Sequence, residues 1–169
     1  MHIGVYGAGY LGTVISACLA DFGTPVSCCD VDSSRMVEMA QGNVPFFEKN
    51  LKEIVRRNVR CGRLLYSTDV ESFSKKAQVI FLAEDSPEHL SELILRIARQ
   101  AGRPVTFSLV TPVPVGTATR LEKALAEAKL RCTVPPMDRS ARTPRSPSAA
   151  AGPPSAVTIA AAHTPCRTP

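Results

Sequence analysis

The sequence predicts an α/β fold: a doubly wound, mostly parallel sheet over residues 1–130, followed by a disordered C-terminal tail. Three observations carry this. A short apolar run ends in glycines at G-x-G-x-x-G spacing and opens into a helical apolar pattern (IGVYGAGYLG, residues 3–12). A second short apolar segment, PVSCCD, follows about one helix later and ends in an acid. Further on, AQVIFLA is apolar without alternation, as expected of a parallel strand covered on both faces.

Each element has a local reason. HIGVY (2–6) reads as a buried strand. After the glycines, Leu11, Val14, Ile15, Cys18, Leu19 and Phe22 recur at helical spacing, and they mark the expected core face of a helix closed by Gly23. PVSCCD (25–30) is the second strand, and SSRMVEMA starts the second helix, which completes a βαβ half-unit. Leu51, Ile54, Val55 and Val59 form another helical stripe. AQVIFLA (77–83) is the next strand. The helix over 86–102 has Ser86 as a cap, Pro87 in its first turn, an apolar stripe from Leu90 to Ala98, and Gly102 at its end. PVTFSLV (104–110) is a further strand. A last helix is expected to begin near Thr119, boxed with Glu122, and to run to about Leu130.

The composition changes at about residue 131. The remainder holds eight of the fourteen prolines and no sustained apolar period, so it cannot offset its ordering entropy. It reads as a flexible tail, as a Ser-Pro/Arg docking or phosphorylation segment, or as the product of a truncated or frameshifted gene. The net charge of +5 belongs mostly to it: five Arg stand against one Asp there, and fifteen Lys/Arg against fourteen Asp/Glu in residues 1–130. A structured basic face for nucleic acid is therefore not expected. No apolar run approaches the ~20 residues of a membrane span, and the N-terminus lacks the basic start of a signal peptide. The six cysteines fit no zinc spacing, and Cys28 and Cys29 are adjacent; Cys18, Cys28 and Cys29 read as packing thiols, and the strand-end pair points to a reducing, cytoplasmic compartment. Cys18 is expected on the core face of its helix. His2, His89 and His163 are scattered, and His89 reads as a surface residue.

The glycine turn points to a dinucleotide. Gly7 permits the tight turn out of the strand, Gly9 lets backbone approach a pyrophosphate, and Gly12 lets helix and strand pack closely. The helix N-terminus offers free N–H groups to phosphate. Asp30, at the end of the next strand, can accept hydrogen bonds from both ribose hydroxyls and would repel a 2′-phosphate. NAD is thus expected over NADP.

With these residues in view, the sequence resembles the N-terminal NAD-binding domain of the UDP-glucose/GDP-mannose dehydrogenase family. The resemblance rests on IGVYGAGYLGTVISACLADFG, CDVDSSRM, VPFFEKNLKEIVRRN followed by GRLLYSTD, and TPVPVGT. It implies that Gly7, Gly9, Tyr10, Leu11 and Gly12 line the pyrophosphate and that Asp30 holds the ribose. Arg35 lies beside Asp30 or is a solvated charge; Glu48 is functional or an acid at a helix start. Family members oxidise the C6 alcohol of a nucleotide sugar in two NAD-dependent steps, as in UDP-glucose 6-dehydrogenase of polysaccharide biosynthesis.

The departures from the family are specific. Where members carry V-x-T-P this chain has AEDSP, so Glu84 and Asp85 bring negative charge toward the cofactor and only Ser86 and Pro87 keep the pattern. Pro112 replaces the hydroxyl of S-T-V-P-V-G-T, and Thr111 is its neighbour. Lys49 and Asn50 replace Pro-Gly in the Y-E-P-G-L loop. No F-G-G-S-C-F-P-K-D type segment occurs, so no catalytic residue is assigned and the chain is expected to be inactive alone. A separately encoded catalytic domain is one partner this implies; a non-catalytic nucleotide-binding or interaction module is the alternative.

Overall fold

The computed structural model describes residues 1–84 and 89–135. In chain order the elements are β1 (Ile3–Tyr6), α1 (Tyr10–Asp21), β2 (Val26–Cys29), α2 (Ser33–Ala40), α3 (Leu51–Arg60), β3 (Leu64–Ser67), α4 (Val70–Lys76), β4 (Val79–Leu82), α5 (Leu90–Ala101), β5 (Thr106–Leu109) and α6 (Thr117–Glu127). The five strands form one sheet of order β3-β2-β1-β4-β5, every pairing parallel. The chain winds outward from β1 in one direction, then crosses back through α4 to wind outward in the other. The direction reverses between β1 and β4, and the carboxyl ends of those strands therefore open a crevice. The expected Rossmann-type arrangement is what the chain adopts.

The register separates two faces. Ile3, Val5, Val26, Cys28 and Leu64 point to the side covered by α1 and α3. Tyr6, Cys29, Ile80, Leu82, Phe107 and Leu109 point to the side where α4, α5 and α6 pack together, with Phe73, Ile94, Ile97, Leu121 and Leu125 completing that core. Cys28 and Cys29 are both fully buried, one on each face, as expected of packing thiols. After α6 the chain returns to the sheet: Thr133 pairs in parallel with Thr106, and Val134 is fully buried.

Three expectations are corrected. The buried side of α1 is Gly12, Thr13, Ser16, Ala17 and Ala20, while Leu11, Cys18 and Phe22 are exposed. The helix carries a small-residue face and a large apolar one. Close packing on the strands selects the small face, because bulky side chains would hold the helix off. The last helix starts at Thr117 after Gly116, which is left-handed at φ 85, and Thr119 lies exposed within its first turn. The Thr117 hydroxyl donates to the Pro114 carbonyl instead of capping through a Thr119–Glu122 box. Finally, β3 and α4 are present where the periodicity of the sequence marked no element. Both are short, α4 is held by the Asp69 cap, and half of β3 faces solvent.

Candidate functional site at the carboxyl edge of the sheet

The glycine turn sits where β1 leaves the sheet. Gly7 has φ 96, and its amide donates to the Cys29 carbonyl at 2.8 Å, which ties the turn to β2. A Cβ on Gly7 would lie 2.6 Å from the Ala83 carbonyl oxygen, and one on Gly12 would lie 1.9 Å from the Gly7 carbonyl oxygen. Both glycines are therefore required by backbone packed against backbone. Gly9 is the N-cap of α1 in an extended conformation and offers no side chain to the first-turn amides. Those of Tyr10, Leu11 and Gly12 thus begin a helix N-terminus facing the crevice, the arrangement that receives phosphate.

Asp30, at the end of β2, is almost wholly buried. Its Oδ2 accepts the Ala8 amide at 2.6 Å and its Oδ1 accepts the Asp32 amide at 3.0 Å. Asp32 caps α2 by accepting the Arg35 amide at 3.0 Å. The Arg35 guanidinium lies 3.6 Å from Asp30 Oδ2 and 3.5 Å from Asp32 Oδ2. Of the two readings of Arg35, the structure places it beside Asp30 rather than free in solvent. Each Asp30 oxygen keeps a lone pair for a further donor.

Tyr10 leaves the turn toward the loop before α3. Its hydroxyl donates to Glu48 Oε2 at 2.8 Å, and its ring meets Phe46 edge-on at 5.7 Å between centroids. The Glu48 carboxylate holds the Tyr10 phenol above its ordinary range by accepting its proton in that hydrogen bond. Asn50 closes the loop in the left-handed region, φ 64, which Asn tolerates better than most residues. Leu11 stands at the helix start, exposed. Ser86, Asp85 and the Ser86 cap of α5 lie outside the described residues.

Beyond Asp30 a cavity of about 380 Å³ opens between the ends of β1, β2 and β4 and the start of α5. Val31, Tyr6 and Leu93 give it apolar walls, and Arg96, His89 and Glu84 give it charge and polarity. Glu84 therefore does line the crevice, together with Glu92 and Arg96. Apart from Glu84 and His89, the residues lining it were not marked as site residues in the sequence. Their one signal is Val31, an apolar residue directly after Asp30 that is 75% exposed. Thr111, the neighbour of Pro112, uses its hydroxyl to donate to the Glu84 carbonyl at 2.8 Å and so joins the ends of β5 and β4. His89 is exposed as expected, and it also borders the cavity.

Residues 1–136 match the model of the UDP-glucose/GDP-mannose dehydrogenase family, NAD binding domain. The chain belongs to this family. It is 33% identical over 136 residues to UDP-glucose 6-dehydrogenase YwqF of Bacillus subtilis, a match covering 75% of this chain and 31% of that protein. It is 33% identical over 135 residues to UDP-glucose 6-dehydrogenase of Pseudomonas aeruginosa, covering 74% and 30%. The chain also aligns with GDP-mannose dehydrogenase of Pseudomonas aeruginosa at TM-score 0.68 and 24% identity, covering 79% of this chain and 35% of that one. UDP-glucose dehydrogenase of Pyrobaculum islandicum gives TM-score 0.70 and 23% identity, covering 79% and 34%. These two likenesses show the fold. The chain thus spans about a third of the length of these relatives. Among the described residues no helix is long and apolar enough to cross a membrane, and no cluster of His, Cys, Asp and Glu could hold a metal.

Proposed function

We propose that this chain binds NAD at the glycine turn and supplies the cofactor half of a nucleotide-sugar dehydrogenation. The observation that carries the reading is the Ala8–Asp30 hydrogen bond, which joins the phosphate-receiving turn to the ribose-receiving carboxylate. The pyrophosphate is assigned to the uncapped first-turn amides following Gly9, with Tyr10, Leu11 and Gly12 lining it and Gly7 shaping the turn. The ribose hydroxyls are assigned to Asp30, with Arg35 orienting that carboxylate. The adenine is assigned to the cavity between Val31 and Leu93, whose volume of about 380 Å³ accommodates a purine.

The residues fit the group. The turn has no room for a Cβ at Gly7 or Gly12, which keeps it tight against the strand ends, the helix start is uncapped, and the acid is preset by two backbone amides. Bound NAD would supply the hydride acceptor. The part of this chain is to bind and orient it: Asp30 rejects a 2′-phosphate by charge, and the α1 N-terminus offsets the charge of the pyrophosphate. Nucleotide-sugar oxidation is a proposal for the assembly that includes this domain. Residues doing that chemistry would come from the part of the family's length that residues 1–136 do not match. Cytoplasmic placement goes with this reading, since a nucleotide cofactor and reduced buried thiols belong to that compartment.

Amide chemical shifts on addition of NAD test the assignment. The expected result is perturbation centred on Ala8, Gly9, Leu11, Gly12 and the Asp30–Asp32 segment. Perturbation confined to other parts of the surface would overturn it.

A further inference from the structure

The cavity beyond Asp30 is not uniformly apolar. Tyr6, Val31 and Leu93 share its lining with two carboxylates, Glu84 and Glu92, and one guanidinium, Arg96. Glu84 is half-buried just after β4, whereas Glu92 and Arg96 are exposed on α5. Glu92 and Arg96 stand four residues apart on that helix, a spacing at which an acid and a base can pair. Yet among the described residues neither of them, nor Glu84, takes part in an ion pair. Charged groups of both signs thus line one space with their hydrogen-bonding capacity unused by the fold.

Glu84 is held in place through its backbone. Its carbonyl accepts the Thr111 hydroxyl at 2.8 Å, and the side chain has no part in that link. Burial pushes the Tyr6 phenol up, and among the smaller influences Arg96 lowers it and Glu84 raises it, which sets both charges near that ring. A carboxylate only accepts hydrogen bonds, so its partner must bring a proton. On the adenosine half of NAD the ribose hydroxyls are assigned to Asp30. The donor that remains is the exocyclic amine at position six of the base.

We infer that Glu84 selects the base of the dinucleotide: its carboxylate accepts a hydrogen bond from the six-amino group of adenine, and Arg96 offsets the negative charge that Glu84 and Glu92 bring to the cavity. The inference rests on the cofactor reading above and adds to it a residue that distinguishes one purine from another. Glu84 occupies the first position of the segment in which family members carry V-x-T-P. An aliphatic side chain there offers a purine only contact, whereas a carboxylate offers an acceptor. A six-oxo purine would set oxygen against oxygen and leave the carboxylate unpaired.

Nicotinamide hypoxanthine dinucleotide carries an oxygen where NAD carries the amine. Calorimetric titration of the full chain with each dinucleotide is the test. The parent chain is expected to bind NAD at least about tenfold more tightly than the hypoxanthine analogue. Glu84→Gln presents a donor as well as an acceptor, so it is expected to bring the two affinities to near parity by improving binding of the analogue. That gain is a readout that a disturbed fold cannot produce. If the parent chain binds both dinucleotides equally, Glu84 does not read the base and the cofactor reading stands. A preference for NAD that survives unchanged in Glu84→Gln places the discrimination elsewhere and overturns the inference. If neither dinucleotide binds, the cofactor reading fails and the inference fails with it.

Discussion

The Asp30 carboxylate accepts the amide proton of Ala8, a residue 22 positions earlier, at 2.6 Å. One buried acid thereby braces the glycine turn at the end of β1 from the end of β2, before any ligand arrives. The same oxygen faces the Arg35 guanidinium at 3.6 Å. The turn is preorganised, so binding need not order it.

Asp30→Asn removes the charge and sets an amide NH₂ or carbonyl against two N–H donors. Loss of one charged acceptor costs about 1.5–3 kcal/mol, so NAD affinity is expected to fall roughly 10- to 100-fold. Discrimination against NADP should fall with it, since the charge that rejects a 2′-phosphate is gone. Parallel titrations of the variant with both dinucleotides check this. An unchanged preference for NAD would remove Asp30 from the ribose site.

Gly12→Ala forces a Cβ to within 1.9 Å of the Gly7 carbonyl oxygen. Backbone must shift on both sides of the turn, at a cost of roughly 3 kcal/mol or more. Thermal denaturation should show a drop on the order of 10 °C, and NAD binding should weaken beyond what the stability loss explains. Gly102→Ala meets no neighbouring atom, but its φ of 61 still strains it; the expected cost is smaller and leaves NAD affinity unchanged.

Thiol reactivity separates the cysteines by burial. Burial pushes the Cys29 thiol to about 12, with the Asp30 charge adding to it, and raises Cys28 as well. Cys18 is exposed. At pH 8 the native chain should therefore alkylate at Cys18 and remain unmodified at Cys28 and Cys29 until denaturant is added. Mass mapping that finds Cys28 modified first in the native chain would contradict the burial of β2.

Asp21 links the end of α1 to α3, accepting hydrogen bonds from Arg57 and from Asn58 Nδ2. Burial would raise its carboxyl, but these hydrogen bonds and the Arg57 charge outweigh that and hold it below the ordinary 3.8. A carboxyl depressed in the folded state stabilises the fold above the unfolded value and loses that contribution as pH falls through the folded one. Asp21 and Arg57 are both partly exposed, so loss of their ion pair in Asp21→Asn should cost only about 0.5 kcal/mol at neutral pH. The difference from the parent chain should shrink below pH 3.8 in denaturant melts. A difference that persists at low pH would assign the effect to packing.

Strands β1, β2, β4 and β5 were legible in the sequence because each is short, apolar and bounded by a turn residue, whereas β3, half of which faces solvent, was not; Gly7, Gly12 and Asp30 were legible because their jobs are covalent in origin: no Cβ, or a carboxylate at a strand end. Helix α1 shows where periodicity stops. Two stripes share its 3.6-residue repeat, and the repeat cannot say that the small one, Gly12-Ser16-Ala20, is pressed to the sheet while Leu11, Cys18 and Phe22 face out. The start of α6 was misplaced for a related reason. Thr119 and Glu122 have capping spacing, but Gly116 in the left-handed region already turns the chain into the helix. The walls of the cavity beyond Asp30 come from β1, α5 and the segments just after β2 and β4, and only the fold brings Tyr6, Val31, Glu84 and Leu93 together.

The most direct test of the central claim is calorimetric titration of the full chain with NAD, with NADP as the control. The structure predicts saturable binding of NAD and none, or far weaker binding, of NADP. Binding of neither would contradict the claim, because the preset turn and Asp30 would then be holding the fold together and receiving no cofactor.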